Sequence, residues 1–541
     1  MSSSSVADSS EGSSKTQSGT GRSAFLVAAG ILLSRIAGLV RERVFAYYFG
    51  NSAAADAFKS AFRIPNFLQN LFGEGVLSAS FIPVYAGLLA RGDEKEAGRV
   101  AGAIAAILGL VVSILVLVGV LATPLMIDLI APGFSGDKRE LTISLVRILF
   151  PGAGLLVLSA WCLGILNSHR RFFLSYTAPV IWNIAMILTL VFFGRRMDQY
   201  PLAKALAWGS VGGSLLQLLV QLPSVLRLVR HLRIALAYRL PNVRTVVTNF
   251  MPAFIGRGVV QISAYIDNVL ASLLPDGAVA ALGYAQTLYT LPVSLFGMAI
   301  SAAELPAMSS ATGSAEEIAV YLRSRLDTGL HRIAFFIVPS SMAFLALGDV
   351  VTGAIFQSGR FTHDDSVYVW VVLAGSTVGL LASTLGRLYA STYYALRDTR
   401  TPLRFALIRV ALTTVMGYIC AVPLIRLLGI DARWGTAGLT VSAGLAGWIE
   451  FTMLRRTLNA RIGITGLHIR YVAQLWGSAI VAAAVGWGIK LLVGHAHPLV
   501  MATAVLIPYG IVYFACASVL RIPEASSVAE RVRRLLRRLK R

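Results

Sequence analysis

Residues 24–43 read AFLVAAGILLSRIAGLVRER. The apolar run from Ala24 to Leu33 has no convincing cleavage site after it, so it reads as the first membrane-spanning helix and not as a removable leader. The same helix continues through Ser34, Arg35, Arg41, Glu42 and Arg43. An ionisable side chain at the centre of a spanning helix costs roughly 2.5–3.5 kcal/mol even on lenient scales, so such groups face a partner or a water-lined cavity. Arg35 and Glu42 are seven residues apart and share a face, and Gly38 between them permits a bend or a close approach.

The next apolar segment repeats the theme. Asp56, Lys59, Arg63, Asn66, Asn70 and Glu74 recur every three or four residues and lay a polar stripe along one side of a helix. Pro65 and the Phe72-Gly73-Glu74-Gly75 stretch interrupt that helix, and broken backbone is tolerated where it lines a cavity. The stripe is therefore expected to line water and not lipid. In the competing reading Arg41, Arg43 and Asp56 flank the helix ends and snorkel to the interface. That reading accounts less readily for Arg35, Arg63 and Glu74.

The rest of the chain agrees with a lipid-embedded fold. Its 541 residues are 56% hydrophobic and 14% charged, a balance foreign to soluble globular domains of this length. Apolar length and turn punctuation predict an all-α polytopic membrane protein with about fourteen helices. Their approximate spans are 23–49, 53–90, 97–130, 140–167, 174–194, 201–229, 244–273, 277–309, 318–348, 365–396, 402–428, 434–458, 467–493 and 498–520. The net charge of +22 sits in short clusters between these segments and in the C-terminal tail, which argues against a nucleic-acid partner.

Alternate loops carry Arg91, Lys95 and Arg99; Arg170 and Arg171; Arg227, Arg230, Arg233, Arg239 and Arg244; Arg323 and Arg325; Arg397, Arg400 and Arg404; and Arg455, Arg456, Arg461 and Arg470. The positive-inside rule makes these loops cytoplasmic and, with an even helix count, puts both termini inside. Lys138, Arg139, Arg195 and Arg196 are exceptions on the other side. An internal repeat is also visible: Leu71-Phe72-Gly73 followed by Ile82-Pro83 recurs as Leu295-Phe296-Gly297 followed by Leu305-Pro306. Two similar lobes plus an extension follow from it, an arrangement that in transporters flanks a central cavity.

An arginine-lined cavity suits phosphate or pyrophosphate, because guanidinium stays charged and offers a bidentate donor fork. No G-x-x-x-x-G-K-[ST] loop is present to use ATP, and no hydrolytic or redox constellation is visible, so an enzyme is the least favoured class. No cofactor is expected. Cys162, Cys420 and Cys516 lie in apolar segments without paired spacing and read as packing residues. His495 and His497 read as ordinary loop residues.

Ser34-Arg35-Ile36-Ala37-Gly38-Leu39-Val40-Arg41-Glu42, Asp56-Ala57-Phe58, Pro65-Asn66, Phe72-Gly73-Glu74-Gly75 and Phe81-Ile82-Pro83 together resemble the N-terminal signature of the MurJ (MviN) family. The resemblance runs on through Ala131-Pro132-Gly133-Phe134, Ile165-Leu166-Asn167, Ala178-Pro179, Asn183, Gly212-Gly213 to Gln221-Leu222-Pro223, Gly359-Arg360-Phe361 and Asp398-Thr399-Arg400-Thr401-Pro402. It implies a flippase for lipid II in the bacterial inner membrane, with the fold of the multidrug/oligosaccharidyl-lipid/polysaccharide exporter superfamily. That fold has two six-helix lobes and two further helices forming a groove for the lipid tail.

On this reading the chain divides into a disordered tail (1–21), an N-lobe (22–232), a C-lobe (233–430, completed by helix twelve at 431–462), two further helices (463–521) and a basic amphipathic tail (522–541). The resemblance places headgroup contacts at Arg35 and Arg41. Lys59, Arg63 and Asn66 are further candidates, while Asp56, Glu74 and Glu42 balance or gate the charge. Two departures stand out: the family usually has arginine where this chain has Gln69 and Thr287. Asp267 matches an acidic sodium-site position of some relatives, but the helix-eleven partners near Thr413 and Gly417 lack the usual Asn and Asp, so no metal site is assigned. The expected partners are lipid II or a related polyprenyl-pyrophosphate lipid, the bilayer and cell-wall synthesis proteins. The alternatives are a flippase for another polyprenyl-linked oligosaccharide, a drug exporter, which the basic cavity disfavours, and a non-transporting scaffold for cell-wall enzymes.

Overall fold

The computed structural model describes the backbone of residues 9–72, 74–494, 496–527 and 530; the side chains of 9–28, 74–75, 252–253 and 255–264 lie outside the described set. The C-terminal amphipathic face that begins at Val528 and the loop residue His495 also lie outside the described residues. Helices dominate, and among the described residues the one β-type pairing is an isolated bridge between Ser358 and Phe361.

The chain divides into two compact units, 1–269 and 270–541. The first contains α1 (Ser9–Phe49), α2 (Ala53–Phe72), α3 (Glu74–Ala90), α4 (Glu94–Leu121), α5 (Thr123–Ile130), α6 (Gly136–Ser168), α7 (Phe172–Phe193), α8 (Gln199–Leu228) and most of α9 (Pro241–Ser272). The second contains α10 (Ala278–Pro292), α11 (Ala299–Ser309), α12 (Ala315–Ala346), α13 (Gly348–Phe356), α14 (His363–Thr377), α15 (Leu380–Ala395), α16 (Arg400–Ala421), α17 (Pro423–Leu427), α18 (Gly435–Ile462), α19 (Ile469–Val493) and α20 (Pro498–Val519). Among the described residues eleven helices are long and apolar enough to cross a membrane, or twelve when the pair α14 and α15, bent by 42°, is one span.

The segment 53–90 is long and apolar enough to count as one span, as expected. A break corrects another: 97–130 is divided between α4 and α5, with Pro124 in the first turn of α5 where a missing N–H costs nothing. The second copy of the repeat motif deforms its helix: Leu295-Phe296-Gly297 lies within a π-helical stretch, Val293–Met298, between α10 and α11. Wide turns of this kind release a backbone register and cluster at functional sites. At the N-terminus α1 begins at Ser9, inside the stretch that composition reads as a disordered tail. Extending a formed helix costs far less than nucleating one.

The core of the first unit is apolar and aromatic, with Phe81 and Tyr85 of α3 packed against Trp161 and Ile165 of α6 and Val100 of α4. One polar network crosses it. Ser159 Oγ donates to Gln221 Oε1 at 2.7 Å and accepts from Gln217 Nε2 at 2.8 Å, pinning α6 to α8. Gly98 and Gly102, one turn apart on α4, let the segment after α8 lie directly on that helix. A Cβ at Gly102 would stand 2.0 Å from the Arg233 carbonyl oxygen, and one at Gly98 2.6 Å from that of His231.

Helix ends carry a regularity of their own. Among the described residues, the three non-glycine residues with positive φ are Arg170 (57°), Arg397 (59°) and Arg521 (55°). Each closes a Schellman turn at the end of α6, α15 or α20, shown by Arg171 N–H to Leu166 O (2.8 Å), Asp398 N–H to Tyr393 O (2.9 Å) and Ile522 N–H to Ala517 O (3.0 Å). Glycine fits that conformation without strain, so arginine there trades backbone ease for a cation at the negative end of the helix dipole.

Candidate functional site

The polar residues of α1 and α2 meet around one carboxylate. Arg41 Nη2 donates to Glu42 Oε1 at 2.8 Å, and Lys59 Nζ of α2 binds the other oxygen, Oε2. All three side chains keep only 13–16% exposure. Two cations converge on one carboxylate in a poorly hydrated place, where charge-assisted bonds to an incoming anion are strong.

Aromatic rings hold these cations from behind. The Arg41 guanidinium lies 5.1 Å from the Trp182 ring centroid and 5.7 Å from that of Phe62, and these two rings stack at 5.6 Å and 17°. The Trp182 indole N–H donates to the Ser210 carbonyl (3.1 Å) and hydroxyl (3.2 Å) on α8, so the ring is fixed. Gly213 gives it room, since a Cβ there would be 2.9 Å from Trp182 Cδ1. Lys59 Nζ stands 4.9 Å from the Phe45 centroid. Four helices, α1, α2, α7 and α8, therefore position one guanidinium, with cation–π attraction adding to the ion pair.

Asp56 is 1% exposed and accepts from Lys138 Nζ at 2.7 Å, and Lys138 also sits 4.1 Å from the Phe134 ring. Its neighbour Arg139 forms a two-pronged bond to Asp128, at 2.8 and 3.1 Å. Two of the four exceptions to the loop-charge pattern, Lys138 and Arg139, are thus paired with carboxylates. Further along α2, the Arg63 carbonyl accepts from the Tyr265 hydroxyl at 2.8 Å, and Asp267 is the acidic group whose field acts on the Arg63 guanidinium. Asn268, fully buried, ties Ser60 of α2 (3.4 Å) to the Ile130 carbonyl (3.1 Å).

The stripe on α2 grades from buried at Asp56, through half-buried Lys59, Arg63, Asn66 and Gln69, to exposed Asn70. Arg35 is exposed and lies six residues before Arg41, roughly 9 Å of helix rise. The Glu74 side chain lies outside the described residues. In the second unit, the Thr287 hydroxyl donates back to the Gly283 carbonyl at 3.0 Å, so it supplies neither charge nor an outward donor. Sequence reasoning missed Phe62, Trp182, Lys138, Tyr265 and Asn268 as site residues. Only Lys138 left a signal, as a cation on the wrong side of the loop pattern.

The second unit contributes an apolar groove lined by Leu295, Phe296, Phe336, Leu506, Tyr509 and Phe514, drawn from the π-helical stretch, α12 and α20. A buried carboxylate, Glu304 of α11, pairs with Arg325 (2.8 Å) and Arg332 (3.5 Å) of α12.

The family model for lipid II flippase MurJ matches residues 45–510. The lipid II flippase MurJ of Burkholderia cenocepacia is 32% identical over 474 residues, covering 85% of this chain and 88% of the relative. The probable lipid II flippase MurJ of Vibrio cholerae is 30% identical over 493 residues, covering 87% and 91%. Among solved structures, a lipid II flippase MurJ in an inward closed conformation superposes with a TM-score of 0.75 at 23% identity, covering 92% of this chain and 98% of that one. An inward-facing multidrug resistance MATE family transporter superposes with a TM-score of 0.64 at 16% identity, covering 81% and 98%; both speak for the fold. With the family model spanning all but the two ends and full-length relatives at 30% identity and above, this chain belongs to the lipid II flippase MurJ family.

Proposed function

We propose that this protein is a lipid II flippase, a transporter and not an enzyme, that carries the polyprenyl-pyrophosphate-linked peptidoglycan precursor from the cytoplasmic to the outer leaflet of the bacterial inner membrane. The observation that carries this reading is the convergence of Arg41 and Lys59 on the single Glu42 carboxylate between α1 and α2. A pyrophosphate brings more charge than Glu42 and competes for both cations. Arg35, Arg63 and Asn66 extend the donor set along the cavity wall, while Asp56 and Glu74 balance or gate the charge. The apolar groove along α12 and α20 supports a place for the polyprenyl tail.

The same reading takes α1 and α9 as additional spans and so keeps fourteen, with an N-lobe ending near 232, a C-lobe to 462 and both termini cytoplasmic. It gives cell-wall synthesis proteins as partners. Sodium is not proposed, because Asp267 already has Arg63 as an electrostatic partner.

The test is translocation of labelled lipid II in proteoliposomes, with and without an imposed membrane potential. Wild-type protein should move the lipid, and Arg35→Gln with Arg41→Gln should slow it at least about tenfold, the scale of losing one charge-assisted bond of roughly 1.5–3 kcal/mol. Unchanged transport in the double variant at equal protein level overturns the site. Wild-type protein that binds lipid II yet never moves it favours the scaffold reading.

A further inference from the structure

Three arginines outside the site above surround a cleft of about 510 Å³ at one end of the first unit. Arg170 and Arg171 come from the turn between α6 and α7, and Arg227 from the last turn of α8. The lining includes Ser224 but no carboxylate, and none of the three arginines forms an ion pair among the described residues. The remaining walls are apolar, with Leu166, Phe172, Phe173, Leu174 and Leu228, and Phe173 is 56% exposed.

The first turn of α7 opens beside these arginines, and no side chain caps it. Its backbone N–H groups add to the positive potential. Arg170 occupies the left-handed Schellman position at φ 57°, where glycine would be easier, so the backbone is set to hold a guanidinium there. A soluble anion needs the cations alone, whereas a lipid needs cations at the rim and apolar walls beneath them. Basic pockets of this make-up between spanning helices take anionic headgroups.

We propose that this cleft binds the phosphate headgroup of an anionic membrane phospholipid, with the acyl chains lying against Phe172, Phe173 and Leu174. The site is separate from the Arg41–Glu42–Lys59 cluster and does not depend on the cargo assigned to it. Arg170 and Arg171 straddle the phosphate from the turn, and Arg227 closes it from α8.

Full-length protein in detergent–lipid micelles, probed with spin-labelled phosphatidylglycerol and phosphatidylcholine, tests this. The wild type should immobilise phosphatidylglycerol in preference, and each of Arg170→Gly, Arg171→Gln and Arg227→Gln should weaken that preference about fivefold. Arg170→Gly is the cleanest variant, because glycine suits the turn better than arginine and the fold is kept, as the melting temperature will report. Equal immobilisation of the two lipids by the wild type, or a preference untouched by the triple variant, overturns the proposal. Displacement of the labelled lipid by millimolar inorganic phosphate also overturns it, since the cleft would then be a free-anion site.

Discussion

Lys138 Nζ reaches across from the first turn of α6 to the Asp56 carboxylate of α2 at 2.7 Å, and Asp56 is all but sealed from solvent. A buried ion pair is not in itself strongly stabilising, but removing one partner takes a close counter-charge from the other, which stays buried. Lys138→Met should therefore cost about 3 kcal/mol and lower the melting temperature, while Lys138→Met with Asp56→Leu should recover most of it. Thermal unfolding in detergent checks both, and a double variant no more stable than the single one refutes the pairing.

Trp182 packs against the Arg41 guanidinium and is assigned as a positioning residue. Trp182→Phe keeps an aromatic face but loses the bonds to Ser210, and Trp182→Leu loses both. With cation–π attraction worth about 1 kcal/mol at such a site, transport should fall about fivefold for leucine and less for phenylalanine. The apparent affinity for lipid II should shift more than the maximal rate. Equal loss in both variants would mark Trp182 as packing alone.

Gly102→Val should strip the segment after α8 from α4, because any side chain there meets the Arg233 carbonyl. The expected outcome is faster proteolysis within residues 230–240 at an otherwise native spectrum. Gly109, with open space about its Cα, is the control: Gly109→Ala should change nothing.

Asp398, in the turn between α15 and α16, provides a pH signature. Its carboxylate accepts from the Thr401 N–H (3.0 Å) and hydroxyl (2.7 Å) and from Arg461 Nη1 (2.7 Å), which lower its pKa from 3.8 to about 2. With the folded value below the unfolded one, the contribution to stability is full above about pH 4 and is lost as pH falls towards 2. Amide exchange at Arg400 and Thr401 should accelerate across that window, and Asp398→Asn should be fast and flat with pH. A pH-sensitive Asn variant would assign the effect elsewhere.

Much of this was legible in the chain itself. Long apolar runs can satisfy their backbones in lipid only as helices, so the all-helical membrane class follows from hydropathy. The three-to-four spacing from Asp56 to Asn70 fixed a polar face on α2, and the ordered motifs from Ser34 to Pro402 fixed the family. Spacing along one helix, however, says nothing about which side chains of other helices arrive at that face. The ring of Trp182 behind Arg41, the cation of Lys138 beneath Asp56, and Asn268 between Ser60 and Ile130 come from elements far along the chain. Only packing decided them. The same holds for Arg170, Arg171 and Arg227: the sequence gives each as loop charge, and the tertiary fold gathers them round one cleft because α6, α7 and α8 end side by side.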